Sequence, residues 1–137
     1  MKRSVLTDGR GVPIGLATAG ANRHDQKLFH ATLDSIPVGR PRPTRKRPQH
    51  LCCDKGYDAD TLRREARRRC YRPRIKARGE EQADKRHRRG RARRWVVERI
   101  ASWMNRFRRI LIRWEKKADN YDALLHLAFA YITWKRT

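Results

Sequence analysis

The sequence predicts a mixed α/β fold in which helices cover a small sheet, in one domain over residues 1–137. Three observations predict it. Short β-like runs alternate with runs of helical spacing, turn residues separate them, and the C-terminal part is helical in period. The 38% hydrophobic content is enough for a single core of this size.

The first elements follow from apolar runs and the turn residues between them. Ser4–Thr7 and Ile14–Ala19 are predicted strands, and the DGRG sequence (Asp8–Gly11) joins them as a hairpin. Asp25–Ile36 has helical spacing, and Asp25 is a candidate N-cap for this helix.

A basic loop and a second group of elements come next. The prolines and cations of Pro37–Gln49 predict an extended loop without regular structure. His50–Cys53 is predicted to be a buried strand. A helix through Leu62 to about Arg69 should follow, capped by Asp58 or Asp60.

The remaining chain is predicted to be one strand, a second basic segment and two helices. Tyr71–Ile75 is the strand, and the polar, low-complexity residues 76–93 are expected to form a mobile basic segment. Apolar residues at three- and four-residue steps predict a long helix over Arg93–Trp114 and a last helix over Tyr121–Lys135. The predicted apolar sides are Val96, Ile100, Trp103, Phe107, Ile110 and Trp114 in the long helix, and Leu124, Leu125, Leu127, Ala128, Tyr131 and Ile132 in the last one.

The charge is the dominant feature of the composition. The chain has 36 Lys and Arg against 14 Asp and Glu, a net charge of +22, which favours a nucleic acid partner. The cations are mostly Arg and are spread along the whole chain, which argues against a membrane surface. No apolar stretch is long enough to cross a bilayer. Three cysteines without metal or disulfide spacing fit a reducing cytoplasm, so we expect a cytoplasmic, nucleoid-associated protein.

Two carboxylates stand out against this charge. Glu98 falls on the face of its helix opposite the apolar side, and its neighbours there are Arg91, Arg94, Asn105 and Arg109. Asp54 directly follows a predicted strand, where α/β proteins collect ligands. Together they could hold part of a metal site that acts on phosphates. The alternatives are an ion pair between Glu98 and Arg94, and a turn role for Asp54.

Two segments make the sequence resemble a known family. LCCDKGYDADTLRR and RRWVVERIASWMNRFRRILIRWEKKADNYDALLHLAFAYITWKR are similar to the C-terminal half of DDE transposases of bacterial insertion sequences, in the insertion-sequence-five branch. DGRGVPIGLATAGANRHD resembles the hairpin and helix start of the same family. The resemblance implies a ribonuclease H-like transposase core with long C-terminal helices. In such a core an Asp, an Asp and a Glu bind two Mg²⁺ (or Mn²⁺) ions for DNA cleavage and transfer.

The resemblance also assigns residues. Asp54 matches the second acid and Glu98 the third, while the first acid belongs to a central strand before the hairpin, which this chain does not contain. Its absence is expected to leave a gap in the sheet. The DNA contacts expected on this basis are Lys55, Arg91, Arg94, Arg99, Asn105 and Arg109, although Arg91 and Asn105 depart from the family's Tyr and Lys.

Three functions follow as alternatives. The first is the C-terminal part of a transposase, which binds insertion-sequence ends and target DNA. It would be inactive until joined to or complemented by the upstream part or an intact transposase. The second is a non-catalytic DNA-binding remnant or regulator. The third is an RNA-binding basic protein, which would need neither the DKGYD segment nor Glu98.

Overall fold

The protein is described from a computed structural model, which defines residues 1–37, 39–75 and 94–136. The side chains of Lys55, Arg94, Trp95 and Val97 are not among the described ones. The predicted basic segment 76–93, which includes Arg91, lies outside the described residues. No helix or strand occurs among the described residues of the loop 37–48, as the sequence predicts.

The predicted N-terminal hairpin is confirmed. β1 (Lys2–Thr7) pairs antiparallel with β2 (Pro13–Ala19). In the turn, Asp8 Oδ1 accepts hydrogen bonds from the backbone N–H groups of Arg10 at 2.9 Å and Val12 at 2.8 Å. Such local bonds explain the preference of Asp for turns.

The second pair of strands belongs to a parallel βαβ unit. β3 (Gln49–Cys53) pairs with β4 (Tyr71–Ile75), and α2 (Asp60–Arg68) makes the crossover between them. Both predicted strands are confirmed. The four strands do not join into one sheet, because β1–β2 and β3–β4 form separate ladders in the described part of the chain.

Helices pack on one face of β3. α1 (Phe29–Asp34) and α2 enclose an apolar cluster, here called the first core, whose buried members are Phe29, Leu33, Leu51, Leu62, Ala66 and Tyr71. Leu51 of β3 is buried, whereas His50 and Cys52, which alternate with it, are exposed. The prediction that this strand is buried is therefore wrong for one of its two faces.

A second core lies against the hairpin. It contains Leu16 of β2 and residues of α3 (Arg94–Asn105), α4 (Arg108–Leu111) and α5 (Ala118–Trp134), with Leu125 fully buried. Val5 of β1 packs against the second core and Leu6 against the first. Because successive side chains of a strand point to opposite faces, β1 lies between two helical layers. The predicted mixed α/β class is confirmed at this level.

The single long helix predicted over residues 93–114 is wrong. α3 ends at Asn105, and Phe107 is extended (φ −91°, ψ 97°) before the single turn of α4. Two contacts favour the break. The Phe107 ring packs edge-on against Tyr131 at 5.8 Å, and the Tyr121 hydroxyl donates to the Ile110 carbonyl, which a continuing helix would have used. Trp114, predicted to be apolar core, is 75% exposed.

The last helix is confirmed, but its buried side differs from the predicted one. α5 begins at Ala118, three positions before the predicted start at Tyr121. Leu127 and Tyr131 were predicted on the apolar side and are 68% and 46% exposed. Its buried residues are Tyr121, Leu125, Ala128, Phe129 and Ile132.

The predicted aspartate caps are wrong for both helices, and Asp25 and Asp58 pair with cations instead. The first helix begins as a 3-10 turn over Asp25–Leu28 with His24 at the N-cap, and Asp25 lies 3.2 Å from Lys2 Nζ. Ala59 is the N-cap of α2, and Asp58 accepts hydrogen bonds from Arg63. Charge-assisted pairs compete with capping for the same oxygens.

Candidate functional site

Asp54 lies at the carboxyl end of β3, as the sequence predicts. A 3-10 turn over Lys55–Tyr57 follows, in which the Tyr57 N–H donates to the Asp54 carbonyl at 3.0 Å. The Tyr57 hydroxyl then lies 3.0 Å from Ser4 Oγ in β1. This contact places the segment after Asp54 at the first half of β1.

The surroundings of Tyr57 are partly buried and acidic. Burial raises the pKa of the Tyr57 phenol, and the carboxylates of Asp25 and Asp54 raise it further. The hydrogen bond with Ser4 acts in the opposite direction. Tyr57 is therefore a neutral phenol that positions the chain beside Asp54, which is itself exposed.

Glu98 is exposed on α3, and this end of the helix packs against the hairpin turn. A Cβ added to Gly11 would lie 3.6 Å from the Val96 carbonyl oxygen and 3.5 Å from Cδ of Arg99. The Arg99 guanidinium lies 3.5 Å from the Arg10 carbonyl oxygen. Gly11 has a φ of 91°, a conformation that lets the turn approach the helix closely and that other residues rarely adopt.

These contacts tie the two acidic segments to different parts of the hairpin. The turn that Asp54 begins contacts Ser4 of β1, whereas residues that flank Glu98 contact the hairpin turn at Arg10 and Gly11. Cys52 and Val96, each two positions before one of the acids, line one cavity of about 290 Å³. No group of three His, Cys, Asp or Glu side chains in the described ranges could hold a metal ion. The described residues therefore do not by themselves supply a set of three such ligands for Mg²⁺ or Mn²⁺.

The predicted DNA contacts are exposed where the structure describes them. Arg99, Asn105 and Arg109 are all exposed, and Arg99 lies over the Trp103 ring at 5.9 Å. Glu98 and Asn105 share a face of α3, since seven residues make about two helical turns. Arg109 belongs to α4 and not to that helix face, contrary to the prediction. The side chains of Lys55 and Arg94 lie outside the described ones.

The sequence did not reveal the residues of a cleft between the two ladders. A cavity of about 290 Å³ separates β1 from β3. Its walls include Val5, Leu6 and Thr7 of β1, Gln49, His50, Leu51 and Cys52 of β3, and Val96 of α3. The expected gap in the sheet was the only sequence signal for it, and that signal did not identify the lining residues.

The described chain is thus an α/β protein of high positive charge with two exposed carboxylates, Asp54 and Glu98. The chain belongs to the transposase DDE domain family, whose family-wide sequence model matches residues 1–133. It is 36% identical over 139 aligned positions to a Burkholderia cepacia protein named "Putative transposase for insertion sequence element IS402". The match covers 97% of this chain and 62% of that relative, so the chain spans less than two thirds of the relative's length. No solved structure matches the chain significantly.

The helices offer no candidate for a membrane span. None that the structure describes is both long enough and apolar enough to cross a bilayer.

Proposed function

We propose that this chain is the C-terminal part of an insertion-sequence transposase, which binds DNA and cleaves or transfers strands only as part of a complete catalytic core. Membership of the transposase DDE domain family carries the proposal. The net charge of +22 supports DNA as the partner, since a polyanion relieves the repulsion between so many cations. Binding to chromosomal DNA would make the protein nucleoid-associated.

Asp54 and Glu98 are proposed as two acids of the catalytic site. The support is their match to the family's acidic positions and the exposure of both side chains. Because the described ranges contain no group of three His, Cys, Asp or Glu side chains that could hold a metal ion, a working site needs an additional ligand. We therefore expect no strand cleavage by the 137-residue chain alone.

DNA contacts are proposed at Arg99, Asn105 and Arg109, together with Lys55, Arg91 and Arg94. Exposure supports the first three. Guanidinium groups suit this role because they bind phosphate oxygens in pairs. Phosphate contacts of this kind would position the protein on DNA without reading its sequence.

The second candidate function is a DNA-binding remnant or regulator without catalysis. The net charge of +22 supports it, because binding to phosphates needs only the cations. Sequencing the DNA upstream of the Met1 codon in all three frames separates the candidates. An overlapping frame that encodes a strand with an Asp favours the transposase part, and a region interrupted by stop codons favours the remnant.

A DNA assay tests the proposal directly. Purified protein should bind duplex DNA with an affinity that falls steeply between 50 and 200 mM salt, by roughly 10³-fold or more if it contacts six phosphates or more. The same protein with Mg²⁺ should not nick insertion-sequence ends. Robust nicking that Asp54→Ala abolishes would contradict inactivity of the chain alone. Preference for structured RNA over DNA would favour the third alternative, an RNA-binding protein.

A further inference from the structure

Aromatic rings are exposed along the second half of α5. Leu127, Tyr131 and Trp134 follow one another at four- and three-residue steps, so they lie on one side of the helix. The other side of α5 is buried in the second core. Trp134 is 72% exposed, and its ring centroid lies 6.1 Å from that of Tyr131. The helix therefore presents to solvent two adjacent rings that the second core does not bury.

A third ring supports these two from below. Phe107 is half-buried, packs against the second core, and meets the Tyr131 ring edge-on at 5.8 Å. We call Phe107, Tyr131 and Trp134 the aromatic strip. Because one end of the strip is fixed in the core and the other is exposed, the rings offer flat faces that lose little freedom when a ligand covers them.

Cations lie against the rings in and beside the aromatic strip. Lys135 Nζ is 5.6 Å from the centroid of the Tyr131 ring. Arg136, the next residue, reaches back to α3, where its Cζ lies 4.2 Å from the centroid of Trp103. Arg99 lies over the same indole ring at 5.9 Å. The strip is therefore continuous, through Trp103, with the surface of α3 on which a DNA contact is proposed.

Charge and shape select the occupant of the aromatic strip. The sequence has no acidic residue after Asp122, so this end of α5 suits an anion. A second copy of the chain would bring another net charge of +22 to the same place, which disfavours self-association. A DNA duplex keeps its bases stacked on one another, whereas unpaired bases are free to stack on protein rings beside a cationic groove. The stretch from Leu127 to Trp134 is about 10 Å long, which matches roughly three nucleotides at 3.4 Å each.

We propose that the aromatic strip stacks on unpaired bases of single-stranded DNA, and that Lys135 and Arg136 bind the adjoining phosphates. The proposed contacts with DNA on α3 involve phosphates and need no ring, so this role is additional to them. The choice of DNA rather than RNA rests on the proposed function, whereas the stacking rests on the rings and cations. Loss of one ring from such a surface weakens binding by about 5- to 150-fold.

An anisotropy experiment tests the strip with the whole 137-residue protein. The probes are a labelled oligothymidylate of about 12 nucleotides, which is within the usual length of such sites, and a duplex of equal length. Titrations at about 200 mM salt weaken binding that depends on phosphates alone. Trp134→Ala should weaken oligothymidylate binding by about fivefold or more and change duplex binding by less than about twofold. Trp114→Ala is the matched control, because Trp114 is 75% exposed and lies outside the strip, and it should change neither.

A conservative variant separates stacking from a merely structural role. Trp134→Phe keeps an aromatic face and should bind oligothymidylate within about threefold of the native protein. A stacked base quenches indole emission, so bound oligothymidylate should quench tryptophan fluorescence in the native protein and in Trp114→Ala, but less in Trp134→Phe. Circular dichroism and urea unfolding check that every variant folds.

Four results would overturn the proposal. The first is an equal effect of Trp134→Ala and Trp114→Ala on oligothymidylate binding, and the second is an equal loss of duplex and oligothymidylate binding in Trp134→Ala. The third is tighter, Trp134-dependent binding of oligouridylate, which would assign the strip to RNA. The fourth is a dimer in sedimentation that dissociates in Trp134→Ala, which would show that a second copy covers the strip.

The same titrations distinguish failure of the strip from failure of the proposed function. Trp134-dependent binding of oligothymidylate without any binding of duplex DNA would retain the strip and contradict the proposed duplex contacts. Duplex binding with no effect of Trp134→Ala on oligothymidylate would do the opposite.

Discussion

Tyr57 and Ser4 are joined by a hydrogen bond, with the phenol oxygen 3.0 Å from the serine Oγ. Ser4 Oγ also lies 2.8 Å from Thr32 Oγ1, which is 2.7 Å from the Leu28 carbonyl oxygen. This chain of hydroxyl groups links the segment after Asp54 to β1 and to α1. The acidic position is therefore held by the fold of the N-terminal half.

Tyr57→Phe should lower the free energy of unfolding by about 1 kcal/mol, the typical contribution of one partly buried hydrogen bond. The ring remains, so the packing against Phe29 at 6.2 Å should survive. Urea unfolding measures the change. Tyr131→Phe is the matched control because the Tyr131 ring is 46% exposed, and its effect should be smaller. Equal effects of the two variants would show that the bond with Ser4 does not stabilise the protein.

Gly11→Ala should destabilise the protein by about 1–2 kcal/mol. The cost arises because φ at this position is 91°, where a Cβ is strained. The contact between the hairpin turn and α3 should survive, since the added Cβ would lie at an ordinary van der Waals distance, 3.6 Å from the Val96 carbonyl oxygen. Urea unfolding gives the energy, and exchange of the α3 amides reports the contact. Gly39→Ala, where nothing lies within 4 Å, should be neutral, and a cost there as large as at Gly11 would contradict the explanation.

Local pattern was sufficient for the hairpin, for the strand, helix and strand that make up the βαβ unit, and for the last helix. Each depends on neighbours in sequence, such as the DGRG turn. The break after Asn105 could not be predicted, because it depends on Tyr121 and Tyr131, which are distant in the chain. A helical period continues through the break, so the periodicity suggested one helix.

The candidate site was predictable residue by residue but not as a geometry. Motif resemblance selects Asp54 and Glu98, and both are exposed in the structure. The position of Glu98 depends on how α3 packs against Gly11, a tertiary contact that no spacing in the sequence reports.

Acid should weaken the contact between α1 and α2. Hydrogen bonds from Arg69 lower the pKa of Asp34 from 3.8 and that of Glu65 from 4.5. Between the lowered pKa values and about pH 4.5, the unfolded chain binds more protons at these two carboxyl groups than the folded chain does. The ion pairs with Arg69 therefore contribute fully to stability above about pH 4.5, and this contribution is lost as the pH falls through the lowered pKa values. The loss should be small because the Asp34 side chain is 62% exposed.

Urea midpoints between pH 2.5 and 6 measure this effect in the native protein and in Arg69→Met. The variant should be less stable than the native protein at pH 6, and its urea midpoint should fall less steeply as the pH is lowered. Arg64→Met, an exposed change on the same helix, is the control. If the urea midpoints of Arg69→Met and of the native protein fall in parallel with pH, then Arg69 does not lower the pKa of Asp34 and Glu65 as described.

Removing single charges from α3 and α4 should change DNA affinity in opposite directions. Arg109→Ala should weaken binding to any duplex and reduce the slope of log affinity against log salt by about 1, because one phosphate contact is lost. Glu98→Ala should leave bulk binding intact or stronger, since it removes a negative charge from a cationic surface. Anisotropy titrations at several salt concentrations measure both, with Arg68→Ala on α2 as the control for net charge alone. A marked loss of binding in Glu98→Ala would mean that this carboxylate supports the structure of α3. An unchanged slope in Arg109→Ala would place the DNA path away from α4.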